Sequence, residues 1–278
     1  MTSLVPSTDH IAVVRGGGDL ATGIVQKLWR AGLAVVILET ARPLAIRRTV
    51  SLCSAVYEGE YSVEDLTAVC IQTPDECYPT WQQGKIPLLI DPDGQSIPTL
   101  RPLFVIDAIL AKKNLGTHRH MAPITIALGP GFSAPEDVDV VIETMRGHDL
   151  GRLILDGSAL PNTGIPGNLG GKTAERVVHA PVAGIVHHHH TIGDVVEKNE
   201  ILFYIDNTPI FSPLQGVLRG LIADGMNIPQ GLKCADVDPR PKEQVNCYQI
   251  SDKARALGGA TLEACFFVAR QKKALSFL

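Results

Sequence analysis

Apolar and polar positions in the first 39 residues follow three successive patterns, which predict a strand, a helix and a second strand. Residues 11–15 form a short apolar run rich in β-branched side chains, and the glycines at 16–18 end it. Apolar side chains then recur at helical spacing over residues 20–28, and an Ala-Gly pair ends the helix. Residues 33–39 form a second apolar run that closes at Glu39. The pattern predicts one βαβ unit with a glycine turn at its first strand-to-helix junction.

Similar patterns continue to residue 155 and predict further strands that alternate with helices. This alternation indicates the fold class α/β, with a Rossmann-like parallel sheet as the body of the protein. A polar segment rich in Gly and Pro follows at 158–171, and it is either a linker or a binding loop. The predicted strands are 68–72, 87–91, 103–107, 124–128 and 152–155, and the predicted helices are 108–114 and 137–146.

The chain then repeats itself. Residues 180–206 match residues 212–238 at a constant offset of 32 positions, with shared glycines such as Gly184 and Gly216. Each copy consists of short strand-like runs separated by Gly, Pro and Asn, and neither copy can bury its apolar face alone. We therefore expect the two copies to interlock into one small all-β module with pseudo-twofold symmetry.

This module resembles the barrel-sandwich hybrid of biotinyl and lipoyl domains, in which the link between the copies carries a modified lysine. The link here, residues 206–211, contains no lysine, which argues against a swinging-arm carrier and favours a docking or lid role. A helix with Ser251 as its N-cap follows, and Gly258-Gly259 is expected to interrupt it.

The predicted organisation therefore has three parts, in keeping with a chain of 278 residues. Residues 1–175 form the Rossmann-like body, and a division into two lobes near residue 116 is left open. Residues 176–245 form the barrel-sandwich hybrid module near the C-terminus. Residues 246–278 form a C-terminal helical segment that returns to the α/β body.

Composition narrows the classes of function. The net charge is -4, the pI is about 6.1 and only 5% of residues are aromatic, which argues against a nucleic-acid partner. No apolar run reaches the length of a membrane span, and the N-terminal residues lack a signal-peptide pattern, so we expect a cytoplasmic protein. The six cysteines form no CxxC pair, which argues against a zinc ribbon. A homo-oligomer is left open.

The glycine turn is the first candidate ligand site. Gly16-x-Gly18-x-x-Ala21 fits a dinucleotide fingerprint, in which glycines let a phosphate approach the free N–H groups of a helix N-terminus. Glu39 lies near the distance expected of an acid that bonds a ribose hydroxyl. Asp19, as the predicted N-cap, would repel a phosphate, so a purely structural turn is the alternative. The candidate cofactor-binding residues here are Gly16, Gly17, Gly18, Asp19 and Glu39.

Further candidates follow the later strands. Arg47 and Arg48 are expected either to grip a phosphate or carboxylate bidentately or to form surface salt bridges. A second glycine turn after a strand adds Gly129 and Gly131 to the cofactor-binding candidates. Lys112 follows a strand that ends in an acid and could face the same crevice. The candidate catalytic residues are Asp107, His148 and Asp149.

Four consecutive histidines occupy positions 187–190, at a predicted strand end or turn. Alternate residues of a strand face one side, so at most two of the four rings share a face. His187 and His189 are therefore weak candidates for metal ligands. No acidic or cysteine partner is fixed by spacing, so adventitious metal affinity is the alternative.

A set of segments together resembles one known family. The chain is similar over roughly residues 10–265 to the accessory proteins of selenium-dependent molybdenum hydroxylases, the YqeB-like family. It has a weaker likeness to the xanthine dehydrogenase accessory factors (XdhC-like), through LGPGF and ETMRGHDLGR. The segments that carry the resemblance are RGGGDLATG, RPLAIRRTV, AVYEG, DAILAKKNLG, LGPGF, ETMRGHDLGR, GSALPNTGIPG and SDKARALGG.

The resemblance implies an accessory role in the maturation of molybdenum hydroxylases. Such a factor would handle the molybdenum cofactor, a phosphorylated pterin, or its terminal chalcogen, and its partner would be a client hydroxylase. Two other functions stay open. The glycine turn also fits an NAD(P)-dependent oxidoreductase, and the β module also fits a non-catalytic protein that docks a client enzyme.

Overall fold

The computed structural model describes residues 7–164 and 167–274, and its contacts divide the chain into two compact units. We call them the sheet unit and the repeat unit. Residues 165–166 of the predicted loop at 158–171 lie outside the described residues. The sheet unit comprises residues 1–43, 51–162 and 250–278, and the repeat unit comprises residues 44–50 and 163–249.

A mixed β-sheet forms the centre of the sheet unit. Its strands are β1 (Ser7–Arg15), β2 (Leu33–Glu39), β3 (Glu60–Val63), β4 (Leu66–Ile71), β5 (Ile86–Ile90), β6 (Phe104–Asp107), β7 (Ile124–Leu128), β8 (Val140–Ile142) and β9 (Leu153–Ile154). Across the described residues their spatial order is β3-β4-β5-β2-β1-β6-β7-β8-β9. The inner strands pair in parallel, whereas β3 and β9 pair antiparallel at the two edges. The predicted α/β class is confirmed.

The order of the strands reverses at β1. This strand pairs with β2 on one side and with β6 on the other, and its last residue, Arg15, lies in register with Leu38 and Asp107. Strands β2 to β5 lie on one side of β1, and strands β6 to β9 lie on the other side. In open α/β sheets, ligands bind at the carboxyl ends of the strands where the order reverses. The glycine turn after β1 lies at this point.

Five α-helices occur in the described residues. They are α1 (Asp19–Arg30), α2 (Ala55–Glu58), α3 (Cys77–Gln82), α4 (Ile97–Leu100) and α5 (Asp252–Gln271). The 3-10 helices are Arg48–Val50, Leu52–Ser54, Pro74–Glu76, Arg119–Met121, Ala174–Arg176 and Lys242–Gln244. No helix in the described part of the chain combines the length and apolar character needed to cross a membrane.

The long helix α5 packs against α1 and does not break at its glycines. A Cβ atom on Gly258 would lie 2.3 Å from the carbonyl oxygen of Gly23, and one on Gly23 would lie 2.4 Å from that of Ala254. The predicted interruption at Gly258-Gly259 is therefore wrong, because Gly258 serves close helix packing. Lys27 also lies against Gly258, so the two helices run in the same direction.

Two predicted helices, at 108–114 and 137–146, are wrong. Leu110 and Lys112 have φ values of 60° and 64°, a left-handed backbone that a right-handed helix does not allow. The second segment contains β8 instead, within a buried run, rich in β-branched residues, from residue 138 to residue 142. Such a run favours a strand that is covered on both faces.

The repeat unit contains two four-stranded sheets in its described residues. Its strands are β10 (Val177–His179), β11 (Gly184–His188), β12 (Val195–Val196), β13 (Ile201–Ile205), β14 (Thr208–Phe211), β15 (Gly216–Leu221), β16 (Asn227–Ile228) and β17 (Lys233–Asp238). Their orders are β10-β17-β15-β12 and β14-β13-β11-β16. Each sheet therefore combines strands of both sequence copies.

The register relates the two copies. Gly184 pairs with Ile228, and Gly216 pairs with Val196. Gly184 and Gly216 are equivalent positions of the two copies, as are Val196 and Ile228, so the two pairs are related by the repeat. Apolar side chains from both copies, such as Phe203 and Leu218, share one buried core. Neither copy could bury this surface alone, which explains why the repeat occurs as an interlocked pair.

Candidate functional site

The first two residues of the glycine turn are fixed by the surrounding backbone. Gly16 has φ +98°, and a Cβ there would lie 2.9 Å from the carbonyl oxygen of Ala108. The Gly17 N–H donates to Glu39 Oε2 at 2.8 Å, and the Gly17 carbonyl accepts from the Cys53 N–H at 2.9 Å. These contacts leave little freedom at either glycine. In the sequence, the run of three glycines was the feature that indicated this tight turn.

Gly18 differs from its neighbours. It is the N-cap of α1, so the expectation that Asp19 would be the N-cap is wrong. Its φ is -68°, and a Cβ on Gly18 would meet nothing within 4 Å. The carboxylate of Asp19 accepts the N–H of Leu20 at 2.9 Å. Gly18 therefore borders open space at the N-terminus of a long helix, where the helix dipole favours an anion.

Glu39 organises the turn from the neighbouring strand. Its Oε2 accepts the Gly17 N–H and its Oε1 accepts the Thr40 N–H, both at 2.8 Å. Burial raises the pKa of Glu39 above its ordinary value, and these two N–H donors act in the opposite direction. Each carboxylate oxygen thus already has a backbone partner. A contact between Glu39 and a ribose hydroxyl stays a prediction.

The loops after β6, β7 and β8 meet beside this turn. A Cβ on Gly131 would lie 2.6 Å from the Cα of Lys113, and one on Gly129 would lie 2.9 Å from Thr144 Oγ1. Ala108 contacts Gly16 at the start of the same series of loops. The structure therefore brings the predicted second glycine turn and the loop of Lys112 to the carboxyl edge that holds the first turn.

The N-terminus of α5 completes this edge. The hydroxyl of Ser251 accepts the Ala254 N–H at 3.2 Å, which confirms the predicted N-cap. The guanidinium of Arg146 donates to both carboxylate oxygens of Asp252 at 3.2 Å. A charged pair between the loop after β8 and the first turn of α5 therefore lies at this edge.

Lys253 is a residue that sequence reasoning missed. Burial lowers its pKa, the positive charges of Arg146 and Lys112 lower it further, and Asp19 and Glu143 raise it. Five charged groups from four loops or helix ends therefore lie within electrostatic reach of one another. One feature of the sequence could have drawn attention to Lys253. A lysine in the first turn of a helix opposes the helix dipole and needs another reason to be there.

Glu143 and Asp149 line a neighbouring cleft of about 370 Å³ in the sheet unit. Glu143 is buried, and its oxygens accept the N–H groups of Met145 at 2.6 Å and Leu160 at 2.8 Å. Two of the predicted catalytic residues belong to the same segment. His148 is exposed, and the carboxylate of Asp149 forms an ion pair with Arg152 at 3.2 Å. The lining residues are Glu143, Asp149, Arg152, Leu153, Ile154, Leu155, Asp156, Ser158 and Leu160.

Asp107 belongs to a buried network at the end of β6. Its Oδ2 accepts the hydroxyl of Thr117 at 2.5 Å, and that hydroxyl accepts the guanidinium of Arg15, which is only 1% exposed. Arg15 also donates to the carbonyl of Pro92 at 2.7 Å. Burial raises the pKa of Asp107, and the charge of Arg15 opposes that shift. The network fixes the loops after β5 and β6, and sequence reasoning missed Arg15.

The arginine and histidine candidates at 47–48 and 187–190 lie in the repeat unit. Arg47 is buried, and the guanidinium of Arg48 donates to the carbonyl of Leu221 at 2.8 Å. His187 and His189 are exposed, and His190 lies between two carboxylates. Among the described residues no three His, Cys, Asp or Glu side chains are grouped so as to hold a metal ion.

Comparison with known proteins gives one extensive similarity. No family model matches the chain. It is 45% identical over 266 residues to "Uncharacterized protein YqeB" of Escherichia coli (strain K12), which covers 96% of this chain and 49% of that protein. The chain thus spans about half the length of the curated relative that it matches. The predicted YqeB-like resemblance is supported over nearly the whole chain.

A solved structure of a succinylglutamate desuccinylase from Silicibacter sp. TM1040 also aligns with the chain. The alignment covers 82% of this chain and 84% of that protein, with 13% sequence identity and a TM-score of 0.24. A score at that level carries no argument about fold or function.

Proposed function

We propose that the protein is a cytoplasmic, YqeB-like accessory factor in the maturation of selenium-dependent molybdenum hydroxylases. In this role it handles the molybdenum cofactor or its terminal chalcogen before insertion into a client enzyme. Support comes from the similarity to YqeB over 96% of the chain and from the motifs that carry the family resemblance.

One observation carries the proposal: the glycine turn lies where the strand order reverses, and Gly18 borders open space there. A Rossmann-like sheet binds phosphorylated ligands at this position, because a helix N-terminus offers N–H groups to the phosphate. Molybdopterin is a phosphorylated ligand that suits such a turn. Gly18, together with cations on the neighbouring loops, would hold its phosphate.

The repeat unit supports a docking role within the same proposal. Its interlocked sheets fit a barrel-sandwich hybrid, and the segment between the copies carries no lysine for a swinging arm. We infer that this unit contacts the client hydroxylase rather than carrying a covalent group.

An NAD(P)-dependent oxidoreductase is the second candidate, since Gly16-x-Gly18-x-x-Ala21 also fits a dinucleotide fingerprint. It predicts that the purified protein oxidises a small substrate when NAD or NADP is supplied. The accessory role predicts no such turnover and a defect in a second enzyme instead.

The accessory role is tested in a deletion strain of the source organism. A molybdenum hydroxylase isolated from that strain should be present as polypeptide but inactive, with less releasable selenium or sulfur than the enzyme from the parent strain. The wild-type gene should restore activity, and a Gly18→Val gene should not. Full hydroxylase activity with a normal chalcogen content in the deletion strain would refute the proposal.

A further inference from the structure

We propose that the outer edge of β9 binds the same edge of a second copy of this chain, so that the two sheets join across a twofold axis. The partner is the protein itself, paired antiparallel through the residues at and beside β9. The inference goes beyond the proposed function, because it does not depend on the ligand that the glycine turn holds.

The backbone of β9 is open on one side. This strand ends the spatial order of the sheet and pairs only with β8 among the described residues. The N–H of Glu143, just after β8, donates to the Arg152 carbonyl at 3.0 Å. Backbone groups alternate in direction along an antiparallel ladder, so the N–H and C=O groups of Leu153 and Leu155 point away from β8. Such groups at a sheet edge are a template for another strand.

The side chains along this edge are exposed and partly apolar. Leu155 is 44% exposed, and Leu160, which lines the same cleft of about 370 Å³, is 52% exposed. The edge also lacks proline, whose missing N–H protects many edge strands. Exposed apolar side chains beside an open strand edge are typical of an interaction surface.

The sequence of the edge identifies the partner. From position 152 it reads RLILD, with a positive end, three apolar residues and a negative end. When two copies pair antiparallel about Ile154, Leu153 of each copy lies opposite Leu155 of the other, and their outward N–H and C=O groups meet. The same register places Arg152 of each copy opposite Asp156 of the other. A twofold interface requires a self-complementary surface of this kind.

Both charged ends are available for this pairing. Asp156 is exposed and makes no side-chain hydrogen bond or ion pair with a described residue. Arg152 is exposed and contacts Asp149 at 3.2 Å, and its five N–H donors allow a second carboxylate to bind. Opposite charges directly across two strands stabilise the pair, and like charges destabilise it. A parallel, in-register pair would place like charges together, so the charges select the antiparallel arrangement.

The paired stretch is short, which sets the expected strength of the dimer. Gly157 turns back to pair with Ala134, so about five residues of each copy can pair. Five paired residues bury less than the roughly 800 Å² per partner of a standard stable interface. We therefore expect a dimer with a Kd in the micromolar range, to which exposed neighbours such as Leu160 contribute.

Sedimentation velocity of the full chain over a series of concentrations tests the interface, at low ionic strength. Wild type should show a reversible equilibrium between monomer and dimer. Asp156→Arg creates two like-charged pairs and should raise the Kd of the dimer about tenfold or more. Asp93→Arg, at an exposed acid elsewhere in the sheet unit, should leave the Kd within about twofold. Thermal unfolding of each variant establishes that it is folded.

A mixture of two variants tests the register itself. Arg152→Asp and Asp156→Arg each carry like charges at both ends of the stretch, so neither should dimerise well alone. In an equal mixture opposite charges face each other at both ends, and the two variants should form a heterodimer. The double variant with both substitutions should dimerise like wild type.

A wild-type protein that stays monomeric up to millimolar concentration would overturn the inference. Equal Kd values for Asp156→Arg and Asp93→Arg would also overturn it, as would a mixture without heterodimer. The result is independent of the maturation role. Normal hydroxylase in the deletion strain, together with a charge-dependent dimer, would refute the proposed function and leave this interface standing.

Discussion

Three consecutive glycines contribute to the turn in different ways. Gly16 needs a left-handed backbone beside the carbonyl of Ala108, and Gly17 is enclosed by Cys53. Gly18 has an ordinary φ and open space where a Cβ would go, so a side chain there would weaken the N-cap of α1 slightly and would mainly obstruct what approaches from outside. A rigid turn and an open surface are thus separated by two residues.

Substitutions at the first and third glycines should therefore act on different properties. We expect Gly16→Ala to lower the free energy of unfolding by about 1–3 kcal/mol, through strain at positive φ and the clash with Ala108. Gly18→Ala should cost less than about 1 kcal/mol, since Ala is a poorer N-cap than Gly. Urea denaturation measures both, and equal losses would contradict this account of the turn.

Lys253 should be a residue whose removal stabilises the fold. Lys253→Met relieves a desolvated charge in the first turn of α5, so the free energy of unfolding near pH 7 should rise by about 0.5–1 kcal/mol. The lowered pKa of Lys253 means that the unfolded chain keeps this proton to higher pH. Wild-type stability should therefore gain a contribution as pH rises through the folded-state pKa.

Urea denaturation between neutral and alkaline pH measures that contribution as the difference between wild type and Lys253→Met. The stability of the two proteins should converge as pH rises. A variant that is less stable than wild type at pH 7 would show that Lys253 has a structural partner after all.

At the scale of secondary-structure elements, the contact between α1 and α5 sets where the second helix N-terminus lies. Gly258 is buried in that contact, whereas Gly259 is exposed, with open space where a Cβ would go. The two neighbouring glycines therefore make a matched pair. One is required by packing and the other only lowers the stability of the helix.

We expect opposite effects when each of these glycines is replaced by alanine. Gly258→Ala would bring a methyl group within 2.3 Å of the Gly23 carbonyl oxygen, so it should destabilise the sheet unit by about 1–3 kcal/mol. Gly259→Ala should stabilise it by about 0.5–1 kcal/mol through helix propensity. Thermal unfolding of both variants tests this, and losses of the same size would argue against close packing at Gly258.

The repeat unit depends on a buried charge cluster. Asp236 accepts from Arg219 at 2.9 Å and also pairs with Arg176, and it is only 1% exposed. Asp236→Asn would leave the buried Arg176 without its carboxylate partner and Arg219 with only Asp238, at 3.9 Å, which should cost about 3–5 kcal/mol. The control is Glu243→Gln, an exposed acid in the same unit, with little expected change in denaturation midpoint. A loss below 1 kcal/mol for Asp236→Asn would count against the cluster.

The elements differed in how far the sequence predicted them. Periodicity located β1, α1, β2 and β7, because buried apolar runs bounded by glycine have few other structures. It failed at 108–114 and 137–146, where contacts from other segments decide the backbone. Lys253 was missed for the same reason. Its neighbours Lys112 and Arg146 are distant in sequence and meet only in the folded sheet unit.

At the scale of the whole molecule, the two units interleave along the chain. Residues 44–50 belong to the repeat unit although they directly follow the first βαβ segment of the sheet unit. There the carbonyl of Ile46 accepts the N–H of Leu221 at 2.7 Å. The composition of residues 44–50 does not differ from that of their neighbours, so the sequence alone assigns them to the α/β body.

The central claim is that the glycine turn holds a phosphorylated small molecule. Mass spectrometry of the small molecules released from the protein, purified from its native host, tests this most directly. Wild type should release a phosphorylated pterin, or a dinucleotide under the oxidoreductase alternative, and Gly18→Val should release much less. The control Arg270→Gln, at an exposed residue in the last turn of α5, should release as much as wild type. No phosphorylated molecule from wild type, or equal amounts from all three proteins, would contradict the claim.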